Sequence, residues 1–266
     1  MTGMADALIG ASGFVGTSLS KQHSFGAHFR SSDIQSIEGR AFNTVVCTGA
    51  PAQKWIANRE PQADEANIQK LIRHLDSVQC DNFVLISTVD VFANPSGVNE
   101  ASSLNDDGLH AYGRNRRALE AFVAKRFARH LIVRLPGLVG PGLRKNVIFD
   151  LLNDNNLAAV DSRAVFQFYP MVNLWPDILT AQAAGLALVH LTAAPISVAE
   201  LAARGFGRSF VNTVGGTPPA YDFQTGHAAL FGGSGLYQYS ARESLLAVRA
   251  YAQSEPRAAV AARVSP

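Results

Sequence analysis

At 266 residues with 47% hydrophobic content, the chain is long enough for one large α/β domain or for a nucleotide-binding domain with a small second lobe. Its 23 basic and 21 acidic residues are scattered and leave a formal charge of +2, so electrostatics makes no case for nucleic acid or a membrane surface as partner. Cys47 and Cys80 lie in or beside apolar runs without metal-ligand spacing; they read as buried free thiols, and a reducing compartment follows.

The N-terminus reaches an apolar run by Ala7 with neither a basic leader nor a cleavage pattern, which sets the cytoplasm as the expected location. Ala7-Leu8-Ile9 runs into Gly10-Ala11-Ser12-Gly13-Phe14-Val15-Gly16 and then Thr17-Ser18-Leu19, a strand, tight turn and helix in succession. Glycine at the first, fourth and seventh positions lets the backbone approach a pyrophosphate at a helix N-terminus, so this unit reads as the opening of a dinucleotide-binding fold. A second strand is expected near Ala27-His28-Phe29, followed by Arg30-Ser31-Ser32-Asp33, where Ser32 or Asp33 can cap a brief helix through Ile37. Little chain remains before the next strand, Thr44-Val45-Val46-Cys47, so the third strand of a full mononucleotide unit is very short or absent.

Gly49-Ala50-Pro51 closes that strand. Ile68, Leu71, Ile72 and Leu75 then have the spacing of an amphipathic helix over 64–75. Phe83-Val84-Leu85-Ile86 is a buried strand ending in Ser87-Thr88-Val89-Asp90, and a loop over 93–108 leads to a helix that starts around Tyr112. Leu131 to Leu135 is another strand, stopped by Pro136-Gly137. Beyond about residue 140 the elements shorten: a helix over 147–152, a helix capped by Asp177 and ending at Gly185, a strand over 186–191, and helices opened by capping boxes at Ser197 and Ser240. The segment 178–203 is too broken by Gln182, Gly185, His190 and Pro195 to cross a membrane. The expected division is a dinucleotide-binding Rossmann domain over 1–140, a small α+β substrate lobe over 141–253 that can return elements to the first domain, and a frayed tail over 254–266.

Tyr112 and Arg116 stand four residues apart and share a helix face. A fixed cation beside a phenol eases its ionisation and suits it to move a proton at a carbinol oxygen. These landmarks, in order, resemble the extended short-chain dehydrogenase/reductase family of nucleotide-sugar epimerases, dehydratases and reductases. The motifs that carry the resemblance are the glycine turn, Ala66-Asn67-Ile68, Ile86 to Phe92, Ala111 to Arg116, and Val133-Arg134-Leu135-Pro136 with Val139-Gly140-Pro141-Gly142. The likeness covers residues 5–150 well and the remainder in outline.

The resemblance implies that Thr88 holds the reacting oxygen, that Tyr112 is the general acid/base, and that Arg116 stands where the family has Lys. That Lys both tunes the tyrosine and binds the nicotinamide ribose. Arg keeps the charge on a longer, planar fork. A non-catalytic nucleotide-binding or redox-sensing protein on the same fold stays open as the alternative. Gly10, Ser12, Gly13, Phe14, Val15 and Gly16 are then expected on the dinucleotide, with Gly49, Ala50 and Pro51 behind it and Pro136 over the nicotinamide. Arg30, Ser31 and Ser32 are closer to a 2′-phosphate pattern than to an acidic ribose clamp, so NADP is preferred over NAD although Asp33 is near.

Asp90 is read as a satisfied strand-end carboxylate or a substrate contact. His74, His110 and His190 lack metal spacing, so no metal is expected. The aromatic run Phe166 to Pro170 and Trp175 reads as core or as the lining of a sugar site. The expected substrate is a sugar, free or nucleotide-linked; the abbreviated third strand and small second lobe favour the net-reductase branch. Homodimers are common in the family, and a homodimer is the expected assembly.

Overall fold

The computed structural model describes residues 4–257. In chain order the first half comprises β1 (Ala7–Ile9), α1 (Phe14–Gln22), β2 (Ala27–Phe29), β3 (Ala41–Cys47), α2 (Lys54–Arg59), α3 (Pro61–Leu75), β4 (Gln79–Thr88), β5 (Ser96–Val98), α4 (Ala111–Arg126), β6 (His130–Leu135) and β7 (Gly137–Val139). The second half adds α5 (Val147–Asn153), β8 (Val165–Phe166), β9 (Phe168–Pro170), α6 (Leu174–Ala183), β10 (Leu188–His190), β11 (Ile196–Ser197), α7 (Val198–Glu200), β12 (Asp222–Phe223) and α8 (Ala241–Ser254). Of the tail, residues up to Ser254 belong to α8, and 258–266 lie outside the described residues.

Six parallel strands form the main sheet in the order β10-β6-β4-β3-β1-β2. Side chains alternate across a strand, so each apolar run feeds two cores. Val45, Cys47, Phe83 and Leu85 meet Ile68, Leu71 and Leu75 of α3 and Leu119 and Val123 of α4 on one face. Val46, Val84 and Val133 meet Leu19 of α1 and Ile178 and Ala181 of α6 on the other. A third core joins α5, β9 and α8 of the second half of the chain through Ile148, Leu151, Phe168, Leu245 and Val248.

The chain after β2 makes only a 3-10 turn at Ile34–Ile37, and β2 is the sheet edge, as the short spacing to β3 required. Asp33 precedes that turn, yet its carboxylate makes no cap bond and instead accepts the Arg30 N–H at 2.6 Å. β10 pairs with β6, so residues 188–190 of the second half complete the first domain's sheet. The expected strand over 186–191 is thus trimmed to three residues. Asp177 does not cap α6, which starts three residues earlier at Leu174 and ends at Ala183. Its carboxylate is buried and accepts the hydroxyls of Tyr169 at 2.5 Å and Tyr239 at 2.9 Å, a stronger claim on it than a helix terminus makes. The box at Ser240 forms completely and opens α8, whereas Ser197 opens only a single turn that widens into a π-helix at Leu201–Gly205. Among the described residues no helix is long and apolar enough to cross a membrane.

The helix that carries Tyr112 is clamped to the sheet. Glu120 of α4 accepts from Arg134 of β6 through both oxygens, at 3.0 and 2.7 Å, and from Ser87 of β4 at 2.5 Å. The Arg134 and Glu120 side chains are only 5% and 6% exposed, so losing either partner strands a charge.

His190, at the end of β10, is 0% exposed and stacked 4.1 Å from Phe223. Its Nδ1–H donates to the Gln224 carbonyl at 2.9 Å and Arg134 faces Nε2 at 3.4 Å, an arrangement that suits only the neutral ring. Burial therefore lowers its pKa to about 4, against the attraction of Glu100 and with the repulsion of Arg134 and His227. The unfolded chain titrates near the usual value of about 6.5, so between that pH and 4 the unfolded state binds a proton that the folded state refuses. Stability is accordingly expected to fall by about 3 kcal/mol as pH drops through this window. Urea midpoints at neutral and acid pH check this: His190→Gln keeps a donor for Gln224 and should flatten the dependence, and an unchanged slope in that variant rejects the assignment.

Candidate active site

The carboxyl ends of β1, β3 and β4 converge on one cleft edge. β1 enters Gly10, whose φ of 82° favours glycine and whose N–H donates to the Phe29 carbonyl at 2.8 Å. A Cβ at Gly10 would lie 2.6 Å from the Thr48 carbonyl oxygen, and one at Gly16 would lie 2.2 Å from the Gly10 carbonyl oxygen. These two glycines are required by the protein's own packing. Gly13 differs: its φ is −76°, and a Cβ there would meet only the Gly10 oxygen, at 3.4 Å. The chain itself has room for a side chain at 13, and with glycine there that room is open to close approach by a pyrophosphate from outside.

Gly13 is also the N-cap of α1 and offers no side-chain acceptor to the first-turn N–H groups. Ser12 is exposed beside it, while the side chains of Phe14 and Val15 pack into the cores, leaving their backbone to face the turn. At the end of β2, Arg30, Ser31 and Ser32 are exposed, and among the described residues Arg30 enters no ion pair. The loop after β3 is stapled to the glycine turn because the Thr48 hydroxyl donates to the carbonyls of Ile9 at 2.8 Å and Gly10 at 3.2 Å. Gly49, Ala50 and Pro51 follow, and Pro136 is buried at the end of β6. The turn, the staple and the open first turn of α1 together fit a dinucleotide.

Thr88 ends β4 and caps the next turn, its hydroxyl accepting the Asp90 N–H at 3.1 Å. Tyr112 lies in the first turn of α4, with its N–H on the Asn58 side-chain oxygen at 3.0 Å and His110 as N-cap. Gly113 sets the approach: a Cβ there would lie 2.3 Å from the Asp90 carbonyl oxygen. The helix can therefore press onto the β4 terminus, which brings the Tyr112 phenol beside Thr88, whose hydroxyl also lies 3.4 Å from an Asp90 carboxylate oxygen. Tyr112 is 8% exposed. Burial raises its pKa, with Asp90 and Asp64 adding to the rise and Arg116 and Thr88 opposing it, so the group is a neutral phenol at physiological pH.

Arg116 shares the Tyr112 face as the spacing implied, with its guanidinium carbon 3.8 Å from the ring centroid. Its donors, however, are engaged within the protein. Nη1 bonds the Asp64 carboxylate and lies 3.4 Å from the Tyr112 carbonyl, and Nη2 bonds the Pro51 carbonyl. Arg116 and Asp64 side chains are 3% and 4% exposed, and only the buried Nε lacks a partner. Asn115 adds a bond to the same Asp64 oxygen at 2.7 Å.

Four site residues escaped the sequence reading: Asp64, Lys54, Lys145 and Tyr221. Lys54 donates to Asp90 at 2.7 Å, and Tyr221 lies beside both. Desolvation depresses the Lys54 ammonium, but Asp90 and Tyr221 outweigh it and raise its pKa. Asp90 is thus ion-paired and half-buried, facing Tyr112, His110 and Lys145 as well. Lys145, in the loop before α5, donates to the Ala52 carbonyl. None of these had a local signal, since each partner is 36 or more residues away in sequence.

A cavity of about 300 Å³ in the second lobe, lined by Val147, Asp150, Phe166, Val214 and Pro219 among others, begins two residues after Lys145. Phe166 is there, whereas Phe168 and Tyr169 are core and Trp175 stacks on His23 at 4.1 Å across the sheet. Among the described residues no cluster of three or more His, Cys, Asp or Glu could hold a metal ion.

No protein-family model and no curated protein matches the chain. Solved structures do. A dTDP-4-dehydrorhamnose reductase from Bacillus anthracis in complex with NADP is 17% identical, with a TM-score of 0.70 over 94% of this chain and 99% of that one. A UDP-glucose 4-epimerase from Thermotoga maritima with UDP-glucose is 14% identical, with a TM-score of 0.69 over 93% and 98%. The Bordetella bronchiseptica enzyme WbmG in complex with NAD and UDP is 14% identical, with a TM-score of 0.73 over 95% and 94%. Over nearly its whole length, the chain carries the fold of these three enzymes.

Proposed function

We propose that the protein is an NAD(P)-dependent oxidoreductase that acts on a carbinol or carbonyl of a sugar, free or nucleotide-linked. The observation that carries this reading is the juxtaposition of Thr88 and Tyr112, brought together where α4 presses on the β4 terminus at Gly113. The dinucleotide would supply hydride to carbon. The glycine turn and the first turn of α1 would hold its pyrophosphate, and Arg30 with Ser31 and Ser32 would receive a 2′-phosphate, which favours NADP. Thr88 would orient the substrate oxygen and Tyr112 would give it a proton.

A phenol held neutral is suited to donate that proton, so reduction is the favoured direction. The cavity beside Phe166 would take a remote part of the substrate, a reading supported by the Tyr221 ring 5.6 Å from Phe166. The cytoplasm remains the proposed location, supported by Cys47 and Cys80 as free thiols whose pKa values burial raises to about 11.

A second reading, a nucleotide-binding protein without turnover, is favoured by one observation: Arg116 is tied to Asp64 and Pro51. Titration of the purified protein with NADPH and NADH, followed by cofactor oxidation over a panel of keto-sugars, separates the two. Tight NADPH binding with oxidation supports the enzyme; tight binding with none supports the second reading. Arg30→Ala is expected to shift the NADPH to NADH affinity ratio about tenfold toward NADH, as loss of a charge-assisted phosphate contact implies. An unchanged ratio removes the NADP preference.

A further inference from the structure

The geometry points to Lys145 as the donor to the nicotinamide ribose, a task that Arg116 cannot perform from its buried position. The proposal rests on dinucleotide binding as read above. In the family pattern one Lys, four residues after the tyrosine, provides both a charge near the phenol and hydrogen bonds to the ribose. Here those two jobs are separable. Arg116 keeps the charge, stacked 3.8 Å from the Tyr112 ring. Its Nη groups are spent on Asp64 and the carbonyls of Pro51 and Tyr112, and its one unpartnered nitrogen, Nε, is buried with a side chain only 3% exposed.

The next carbonyl along the same loop, Ala52, is taken by Lys145. The two cations therefore occupy adjacent carbonyls of the segment behind the dinucleotide, Arg116 on the buried side and Lys145 on the exposed side. A lysine ammonium has three donors, and among the described residues Ala52 is the hydrogen-bond acceptor for Lys145, so two donors are left for a ligand. Lys145 also feels both Asp90 and Arg116, which places it within the field of the dyad's surroundings. Lys54 is less suited, because Asp90 and Tyr221 already engage its ammonium.

Titration of NADPH against ADP tests this on wild type, Lys145→Met and Lys145→Arg. The ADP used is its 2′-phosphate ester, which carries the pyrophosphate and the 2′-phosphate of NADPH but no nicotinamide ribose. Lys145→Met is expected to weaken NADPH about tenfold and ADP less than about twofold, the pattern of one lost hydrogen bond from a charged donor. Lys145→Arg, which retains donors, should recover most of the NADPH affinity. Equal weakening of NADPH and ADP would assign Lys145 to the phosphates and overturn the proposal, and so would NADPH affinity unchanged in Lys145→Met. Because Lys145 is exposed and outside the cores, loss of folding does not confuse the result. Wild type that fails to bind NADPH at all defeats the functional reading and this proposal together; wild type that binds with a silent Lys145→Met defeats this proposal alone.

Discussion

Tyr112→Phe is expected to lower turnover by about a thousandfold while NADPH affinity stays within about twofold, the signature of a lost general acid. The ring is 8% exposed and packed under Arg116, so Phe fills the same space and the fold should hold. Only the hydroxyl is removed, and with it the phenol's interaction with Thr88. The pH profile of wild type gives an independent check. Burial raises the phenol pKa, with Asp90 and Asp64 adding to the rise and Arg116 and Thr88 opposing it. The protonated form is the active one for reduction, so the rate constant should be level through neutrality and decline only above the ordinary tyrosine value of about 10. A decline near neutrality would mean that another group supplies the proton. His110, whose pKa is lowered chiefly by burial and further by Lys54, would be the first residue to test in that event.

The parts of the site that the sequence announced are those built from neighbours along the chain. The glycine turn is legible because Gly10 and Gly16 answer to contacts inside one strand-turn-helix unit and with the adjacent β3 terminus. The missing third strand was legible from spacing, because so few residues separate β2 from β3. Tyr112 and Arg116 share a face for the reason that any pair four apart on a helix does. What the sequence hid is pairing across distance. Asp64 looked like an ordinary first-turn acid of α3, and only the packing of α3 against α4 turns it toward Arg116. Asp177 looked like a helix cap, yet two tyrosines from β9 and the segment before α8 claim its carboxylate. Lys54 opens the short α2 and Lys145 sits in a loop, neither with a periodicity to mark it, and Tyr221 comes from a segment more than a hundred residues downstream of Tyr112.

The buried pair of Arg116 and Asp64 governs stability more than any other feature of the site. Arg116→Met leaves the Asp64 carboxylate enclosed at 4% exposure without its cation and frees the Pro51 carbonyl. The expected cost is about 3–5 kcal/mol, which for a chain of this size lowers the melting temperature by roughly 10 °C or more. Removing both charges together, in Arg116→Met with Asp64→Leu, should return most of that stability, because the large term is the orphaned charge rather than the bond. A loss below about 1 kcal/mol in the single variant would show that water reaches Asp64 and that the pair is not buried in solution. Turnover decides the second half of the argument. In the stable double variant Tyr112 loses the cation against its ring but also the Asp64 charge, and these two act on the phenol in opposite directions. If activity survives there, Arg116 acts as the tie between α4, α3 and the loop after β3, and the donor that the family places at this position must come from elsewhere in the cleft. If activity is lost with the fold intact, the guanidinium stacked on Tyr112 is itself needed for the proton transfer, and the longer side chain has taken over the electrostatic half of the lysine's work.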